Sequence, residues 1–223
     1  MADKSKVPAW IVGRIVALSL AGGLAGGGAV LVLDQPVPAT DAQIRQALSD
    51  PYVKAVAADA TTSDAVKIAM VLGSYYESSG RHIGTPYVDR VGRGQPLTVC
   101  NGITGAGVVA GRYYTPADCY LLERGRYLTA EREAQRLLTH WASYDPMVRA
   151  VFIDFNHNKG AAALASSTML RKANAGDLLG ACRENVRWNK GTVAGVLRVL
   201  PGLQIRADSN DEICRTWRLE AAA

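Results

Sequence analysis

The sequence contains no CxxC pair, and its three histidines (His82, His140 and His157) show no metal-ligand spacing beside its cysteines. Zinc sites that fold a small domain need ligands paired a few residues apart, so neither a metal nor a cofactor is implied. No run of five like charges occurs, which argues against a basic arm for nucleic acid. No internal repeat or low-complexity tract follows the N-terminal segment, so a solenoid is excluded. Charged residues are only 20% against 48% hydrophobic, which excludes a disordered chain. The 223 residues suffice for one ordinary domain with an appendage. The net charge of +5 is spread along the chain, a bias towards encounter with an anionic envelope or polyanion.

The appendage is visible at the N-terminus. Lys4, Lys6 and Arg14 precede an uncharged run, residues 15–33, that Asp34 closes. Nineteen residues rising about 1.5 Å each span roughly 29 Å, close to a bilayer core. The run holds five glycines and four alanines, so it reads as a weak transmembrane helix. An ordinary cleaved signal peptide is the alternative, although residues 36–40 offer only a poor small-residue cleavage site. Residues 1–34 are thus a membrane segment, with positive charge keeping the N-terminus cytoplasmic and exporting the rest. Export matters for Cys100, Cys119, Cys182 and Cys214, whose even number permits two disulfides only in an oxidising compartment.

The two prolines of residues 34–40 mark a linker, and residues 35–61 form a linker and N-terminal helical region with a break at Pro51. The main domain is expected over 62–223. Ser63 is placed to cap a helix through about Ser78, with Val66, Ala69, Met70, Gly73 and Tyr76 or Glu77 on one face. Between Gly80 and Gly111 glycines intersperse short apolar pieces such as Tyr87-Val88 and Leu97–Cys100, the texture of a small β element. Helix starts return at Thr115-Pro116, Asp145-Pro146 and Ser166 or Ser167. Further helices are expected over Asp177–Trp188 and Asp208–Leu219. The fold class is α+β, mostly helical with one small β-hairpin or sheet lobe.

Glu77 ends an apolar helix immediately before that lobe. Beside Met70, Tyr75 and Tyr76 it would be partly desolvated and so able to keep a proton near neutral pH. A solvated glutamate near a helix terminus is the plainer reading. Asp89 and Thr98 follow on the lobe, where turn and strand roles are the plainer readings. As a set they are the parts of a glycosidase, which needs a protonated acid and, across the sugar, groups that hold or activate water. Asn156, Asn158, Ser167 and Thr168 are candidate sugar contacts, with helix capping and turn formation as the alternative. Phe152, Phe155 and Trp141 read as core.

The stretch YESSGRHIGTPYVDRVGRGQPLTVCNGITG resembles the active-site region of phage-type lysozymes of glycoside hydrolase family 24. There a helix-terminal Glu is followed by Y-x-D and then by Thr before a Cys- or Gly-containing strand. AVFIDFNHNKGAAALASSTMLRKANAGD is similar to the family's F-x-x-N-x-G and S-T-L-L-x-K-x-N-x-G-D blocks, and the likeness covers about residues 62–217. The resemblance implies a lysozyme-like fold and an exported monomeric muramidase. It would cut the β-1,4 bond between N-acetylmuramic acid and N-acetylglucosamine in peptidoglycan during host lysis. Glu77 would be the general acid, with Asp89 and Thr98 positioning water. The chain departs from the pattern in its longer spacings, 12 residues from Glu77 to Asp89 and nine to Thr98, and in Ile103 where the family carries His. A lytic transglycosylase and an inactive, membrane-anchored peptidoglycan-binding module are the alternatives.

Local pairing, Cys100 with Cys119 and Cys182 with Cys214, is expected of the cysteines. The N-terminal run is similar to the signal-anchor-release segments of some phage lysozymes. It implies an enzyme tethered in the inner membrane through residues 15–33, facing the periplasm, and released there when the membrane potential collapses. Replacing Gly22, Gly23, Gly26 and Gly27 with leucine should hold the chain in the membrane fraction after an uncoupler is added, while the unsubstituted chain becomes soluble. A shortened soluble protein found before depolarisation would mean that the segment is a cleaved signal peptide.

Overall fold

The computed structural model of the chain describes residues 40–78, 81–90, 94–193 and 195–220. The run 15–33, and with it the expected membrane helix, lies outside them. Among the described residues no helix is long and apolar enough to cross a membrane.

Two short helices lead in, α1 (Asp41–Ser49) and α2 (Pro51–Ala58), broken at Pro51 as the sequence indicates. The Asp50 carboxylate caps α2 by accepting from the Tyr52 and Val53 amides. Helix α3 (Asp64–Ser78) follows, and the Ser63 hydroxyl accepts from the Val66 amide at its start. The expectation of one apolar face understates α3. Val66, Ala69, Met70, Val71 and Leu72 are wholly buried, and Ala65 to Ser74 are buried without a break. A helix buried on nearly every side, with Lys67 and Ser74 the polar members of its buried stretch, belongs in the centre of a core, where each fully buried aliphatic side chain contributes about 1.5–3 kcal/mol.

Helix α4 (Pro116–Leu137) and helix α5 (Pro146–Lys159) enclose α3. Thr115 and Asp118 form a reciprocal capping box at the start of α4, with Pro116 in the first turn. Asp145 and Pro146 start α5, which stops at Gly160 with φ of 86°, a left-handed conformation that glycine adopts without strain. Gly73 lets α4 approach α3: a Cβ there would sit 1.8 Å from the Tyr127 hydroxyl oxygen.

The small lobe is the three-stranded antiparallel sheet β1 (Tyr87–Val88), β2 (Leu97–Val99) and β3 (Ile103–Thr104), in that order. Tyr87 pairs with Thr98 and Val88 with Leu97; on the other side Thr98 pairs with Thr104 and Val99 with Ile103. Helices α6 (Ala161–Ala165), α7 (Thr168–Asn174, capped by Ser167) and α8 (Leu178–Arg183, capped by Asp177) complete the second half. The single helix expected over Asp177–Trp188 is instead α8 running into a 3-10 turn, Glu184–Arg187. An antiparallel hairpin then intervenes, β4 (Lys190–Val193) with β5 (Val196–Val199), which the sequence reading did not foresee. The last helix, α9 (Pro201–Glu220), begins seven residues before Asp208, because Pro201 suits a first helical turn.

Both disulfides join the cysteines expected, Cys100 with Cys119 and Cys182 with Cys214. The first ties the β2–β3 turn to the start of α4, and the second ties α8 to α9. Their separations of 19 and 32 residues imply stabilisation of about 3 and about 4 kcal/mol through loss of unfolded-chain entropy. Replacing Cys182 and Cys214 together with serine should therefore lower the melting temperature by roughly 8–15 °C, read by calorimetry without reductant. An unchanged transition would show that this crosslink does not constrain the unfolded chain.

Candidate active site

Glu77 lies in the last turn of α3, and its side chain is 36% exposed. Of the expected neighbours, Met70 is wholly buried in the core, Tyr75 and Tyr76 are half-buried, and the Tyr76 ring lies over the Arg206 guanidinium that meets Glu77. Its closest polar partner is Arg206 of α9, whose Nη1 donates to Glu77 Oε1 at 2.6 Å. Arg206 is itself 5% exposed and gives its other edge to Asp154 of α5. Burial lowers the proton affinity of the guanidinium. The charge and hydrogen bonds of Asp154, with Tyr127 and Glu77 adding, reverse this, so the net displacement is upward. Arg206 is therefore a permanent cation at the foot of α3.

Residues 82–84, ahead of the lobe, are fastened to it and to the start of α4. The Cys100 amide donates to Ile83 O at 2.8 Å, the Tyr114 amide to Gly84 O at 2.8 Å, and a His82 ring nitrogen lies 2.8 Å from Tyr114 O. Asp89 follows β1, where its amide donates to Pro96 O at 3.0 Å, and the residue is half-buried. Asp89 thus lies opposite Pro96 while Tyr87 lies opposite Thr98, so alternation puts Asp89 and Thr98 on the same face of the β1–β2 ladder. Thr98 is buried, and its hydroxyl donates to Pro96 O at 3.1 Å. The lobe is locked to the helices beneath it by Glu123 of α4. That buried carboxylate accepts from the Tyr52 hydroxyl and from the amide and side chain of Asn101. Burial pushes its pKa up, against the hydrogen bonds it receives.

The four expected sugar contacts divide. Ser167 is buried, and its hydroxyl caps α7 by accepting from the Leu170 amide while donating to Leu164 O. Asn156 is 2% exposed, with its side-chain amide donating to Ala130 O and Glu133. Ser167 thus caps α7 and the Asn156 amide joins α5 to α4, the local roles that stood as the alternative to sugar contact, while Asn156 also borders the cavity along those helices. Asn158 and Thr168 are half-buried, and Asn158 lines a narrow crevice with Asp154 and Arg206.

A wider cavity of about 360 Å³ opens along the seam of α4 and α5, bounded by Arg126, Thr129, Glu133, Asn156 and His157. Arg126 closes its lobe end by donating to the carbonyls of Gly102 and Thr104 at 3.1 and 3.3 Å. His157 stacks on Tyr127 with ring centroids 4.0 Å apart. Arg206, Asp154 and His157 escaped the sequence reading. Asp154 did carry a signal, since a carboxylate inside the apolar run 151–155 must be buried with a partner. Arg206, 129 residues from Glu77, carried none.

Comparison with known proteins bears on the family and the fold of the chain. The Phage lysozyme family model matches residues 82–210. The SAR-endolysin of Bacteriophage PS119 is 35% identical over 129 residues, which is 58% of this chain and 72% of that relative. The SAR-endolysin of Enterobacteria phage P21 is also 35% identical over 129 residues, 58% of this chain and 73% of that protein. In fold the chain is similar to the active form of P1 phage endolysin Lyz, with a TM-score of 0.60 at 18% identity over 75% of this chain and 93% of that one. It is likewise similar to the muramidase domain of SpmX from Asticaccaulis excentricus, with a TM-score of 0.58 at 19% identity over 70% of this chain and 97% of that one.

The buried imidazole has a measurable consequence. Burial lowers the pKa of His157, so the folded state binds a proton less readily than the unfolded chain does. Its contribution to stability is then full above the unfolded value of about 6.5 and is lost as pH falls below it. His157→Phe keeps the ring stack and removes the titration. Denaturant unfolding at pH 7.5 and pH 5 should show a smaller loss of stability on acidification in the variant; an equal loss would exclude His157 as its source.

Proposed function

The chain belongs to the phage lysozyme family, is on that ground a glycoside hydrolase of the muramidase type acting on peptidoglycan, and we propose that Glu77 is its catalytic acid. In this reading the bond cut is the β-1,4 link between N-acetylmuramic acid and N-acetylglucosamine. Glu77 gives its proton to the glycosidic oxygen as the bond from the muramic acid anomeric carbon breaks. Water adds to that carbon from the lobe side, with Asp89 taking up its proton and Thr98 helping to fix its place. The products are a new reducing end and a free 4-hydroxyl. The observation that supports this most directly is the placement of Glu77. It stands partly open at the end of the central helix and is oriented by Arg206, and Asp89 and Thr98 follow it on one face of the β1–β2 pairing. Asn158 and Thr168, half-buried rather than committed to the core, are the better candidates for sugar contact.

The same reading extends to the whole chain. Residues 1–34 act as the releasable anchor, 35–61 as linker and first helices, and 62–223 as the catalytic domain, working as a monomer in host lysis. That the relatives are SAR-endolysins supports export to the periplasm, where the two disulfides can form.

Digestion of purified sacculi followed by mass spectrometry of the products tests the reaction. Glu77→Gln should lower turnover by at least about 10²–10⁴-fold without changing the melting transition, and Asp89→Ala should be the next most damaging change. Unreduced anhydro-sugar ends would replace hydrolysis by transglycosylation. A Glu77→Gln variant that still clears sacculi would remove Glu77 from the role of acid.

A further inference from the structure

Asp154 is wholly inaccessible to solvent, on a helix whose neighbouring residues Val151, Phe152, Ile153 and Phe155 are core. Its carboxylate accepts from Arg206 Nη2 at 2.7 Å, from Arg206 Nε at 2.9 Å and from the Asn210 side-chain amide at 2.7 Å. The guanidinium is therefore held along one edge, with Nη1 left over and directed to Glu77. The ring of Tyr76, 5.1 Å from the guanidinium carbon, covers its face.

We propose that Asp154 is the positioning residue of the acid: by fixing Arg206 and taking up its charge, it gives Glu77 an oriented hydrogen-bond donor without an unbalanced cation. The inference rests on the reading of Glu77 as the acid. The charges decide the sign. With Asp154 and Arg206 paired, the cluster is neutral when Glu77 is protonated and carries one negative charge when Glu77 is ionised. Without Asp154, a protonated Glu77 would leave a net positive charge, and ionisation would neutralise it. A lone cation within hydrogen-bond distance favours the ionised carboxylate. An acid must keep its proton until the glycosidic oxygen takes it, so Asp154 protects the form that catalysis needs.

The groups that face this cluster are Tyr76 from α3, Tyr127, Arg126 and Glu123 from α4, His157 and Lys159 from α5, and Glu212 from α9. Burial raises Tyr76 and Tyr127 and lowers His157, so these three stay uncharged across neutral and mildly alkaline pH. Arg126 is anchored to the lobe carbonyls. Among the described residues, only Asp154 and Glu77 are carboxylates that hydrogen-bond to Arg206.

The pH dependence of kcat/KM on soluble peptidoglycan fragments, measured on the full chain, reads the proposal. Asp154→Asn should move the alkaline limb to lower pH by about 1 unit or more, the scale of a single opposite charge at contact. Combining it with Arg206→Met removes the cation as well and should return the limb towards its original position, although turnover stays low. Removing one member of a buried pair is destabilising, so Asp154→Asn can fail to fold. The double variant, which removes both charges, then serves against the unsubstituted chain, and its limb should stay close to the original. An unmoved limb in Asp154→Asn despite reduced turnover, or a limb displaced to higher pH in the double variant, would mean that Asp154 only holds the fold. If Glu77→Gln remains active, the acid reading fails and this inference falls with it; if Glu77→Gln is inactive and either of those limbs is found, only this inference falls.

Discussion

The folded domain is organised around a buried guanidinium. Arg206 lies 52 residues from Asp154 and 129 from Glu77 in sequence, yet it hydrogen-bonds to both and so joins α9, α5 and α3 at one point. A guanidinium that is 5% exposed could not remain there unpaired, because the cost of desolvating an isolated charge is several kcal/mol. The second half of the chain must therefore bring Arg206 to the foot of α3 before the candidate acid has its partner. The hairpin β4–β5 and the turn into α9 do this. The Leu200 amide donates to Asn189 O at 3.0 Å, Asn189 holds Gln204 at 2.6 Å, and Gly191 leaves the space that Leu200 and Leu203 fill. Cys182–Cys214 then fixes α9 eight residues further on, so Arg206 lies between two anchors.

The lobe is attached by a second buried charge, solved differently. Glu123 is 2% exposed; among the described residues its hydrogen-bond partners are Tyr52, the Asn101 amide and the Asn101 side chain, with Arg126 acting on it only as a weaker, unbonded charge. Neutral donors compensate a buried carboxylate less completely than a cation does, which is why burial still pushes its pKa up. The two acids divide the work. Glu123 joins α2, the β2–β3 turn and α4, with Cys100–Cys119 beside it, and so sets where the lobe stands. Asp154 and Arg206 set where Glu77 stands. Helix α4 connects the two systems, since Glu123, Arg126 and Tyr127 on it reach the turn, the lobe carbonyls and the core face of α3.

What could be read from the sequence was local. Caps at Ser63, Thr115, Asp145 and Ser167, prolines at 116 and 146, and the glycine texture of the lobe act within a few residues, and the structure uses each of them. The hairpin was missed although Thr192-Val193 and Val196–Val199 flank Ala194-Gly195, a two-residue turn signal between β-branched runs. The start of α9 was missed because the helix was expected only from Asp208, although Pro201 suits a first helical turn. Ser167 was over-read, since its hydroxyl answers a local need of α7 and is used up there. What the sequence could not show around Glu77 is its hydrogen-bond partner, which comes from the far end of the chain.

That distance explains the chemistry of the site better than the composition of α3 does. A carboxylate shielded only by apolar neighbours would resist ionisation, but nothing would orient it. A carboxylate against a lone arginine would be oriented and ionised. With Asp154 wholly buried on the opposite edge of the guanidinium, the Arg206 charge is already spent, and what reaches Glu77 is mainly a directed N–H at 2.6 Å. Orientation is thereby separated from charge. The separation requires that Asp154 be deeper than Glu77, so that water screens the outer pair and not the inner one. The structure meets that condition, with Asp154 at 0% and the Glu77 side chain at 36% exposure.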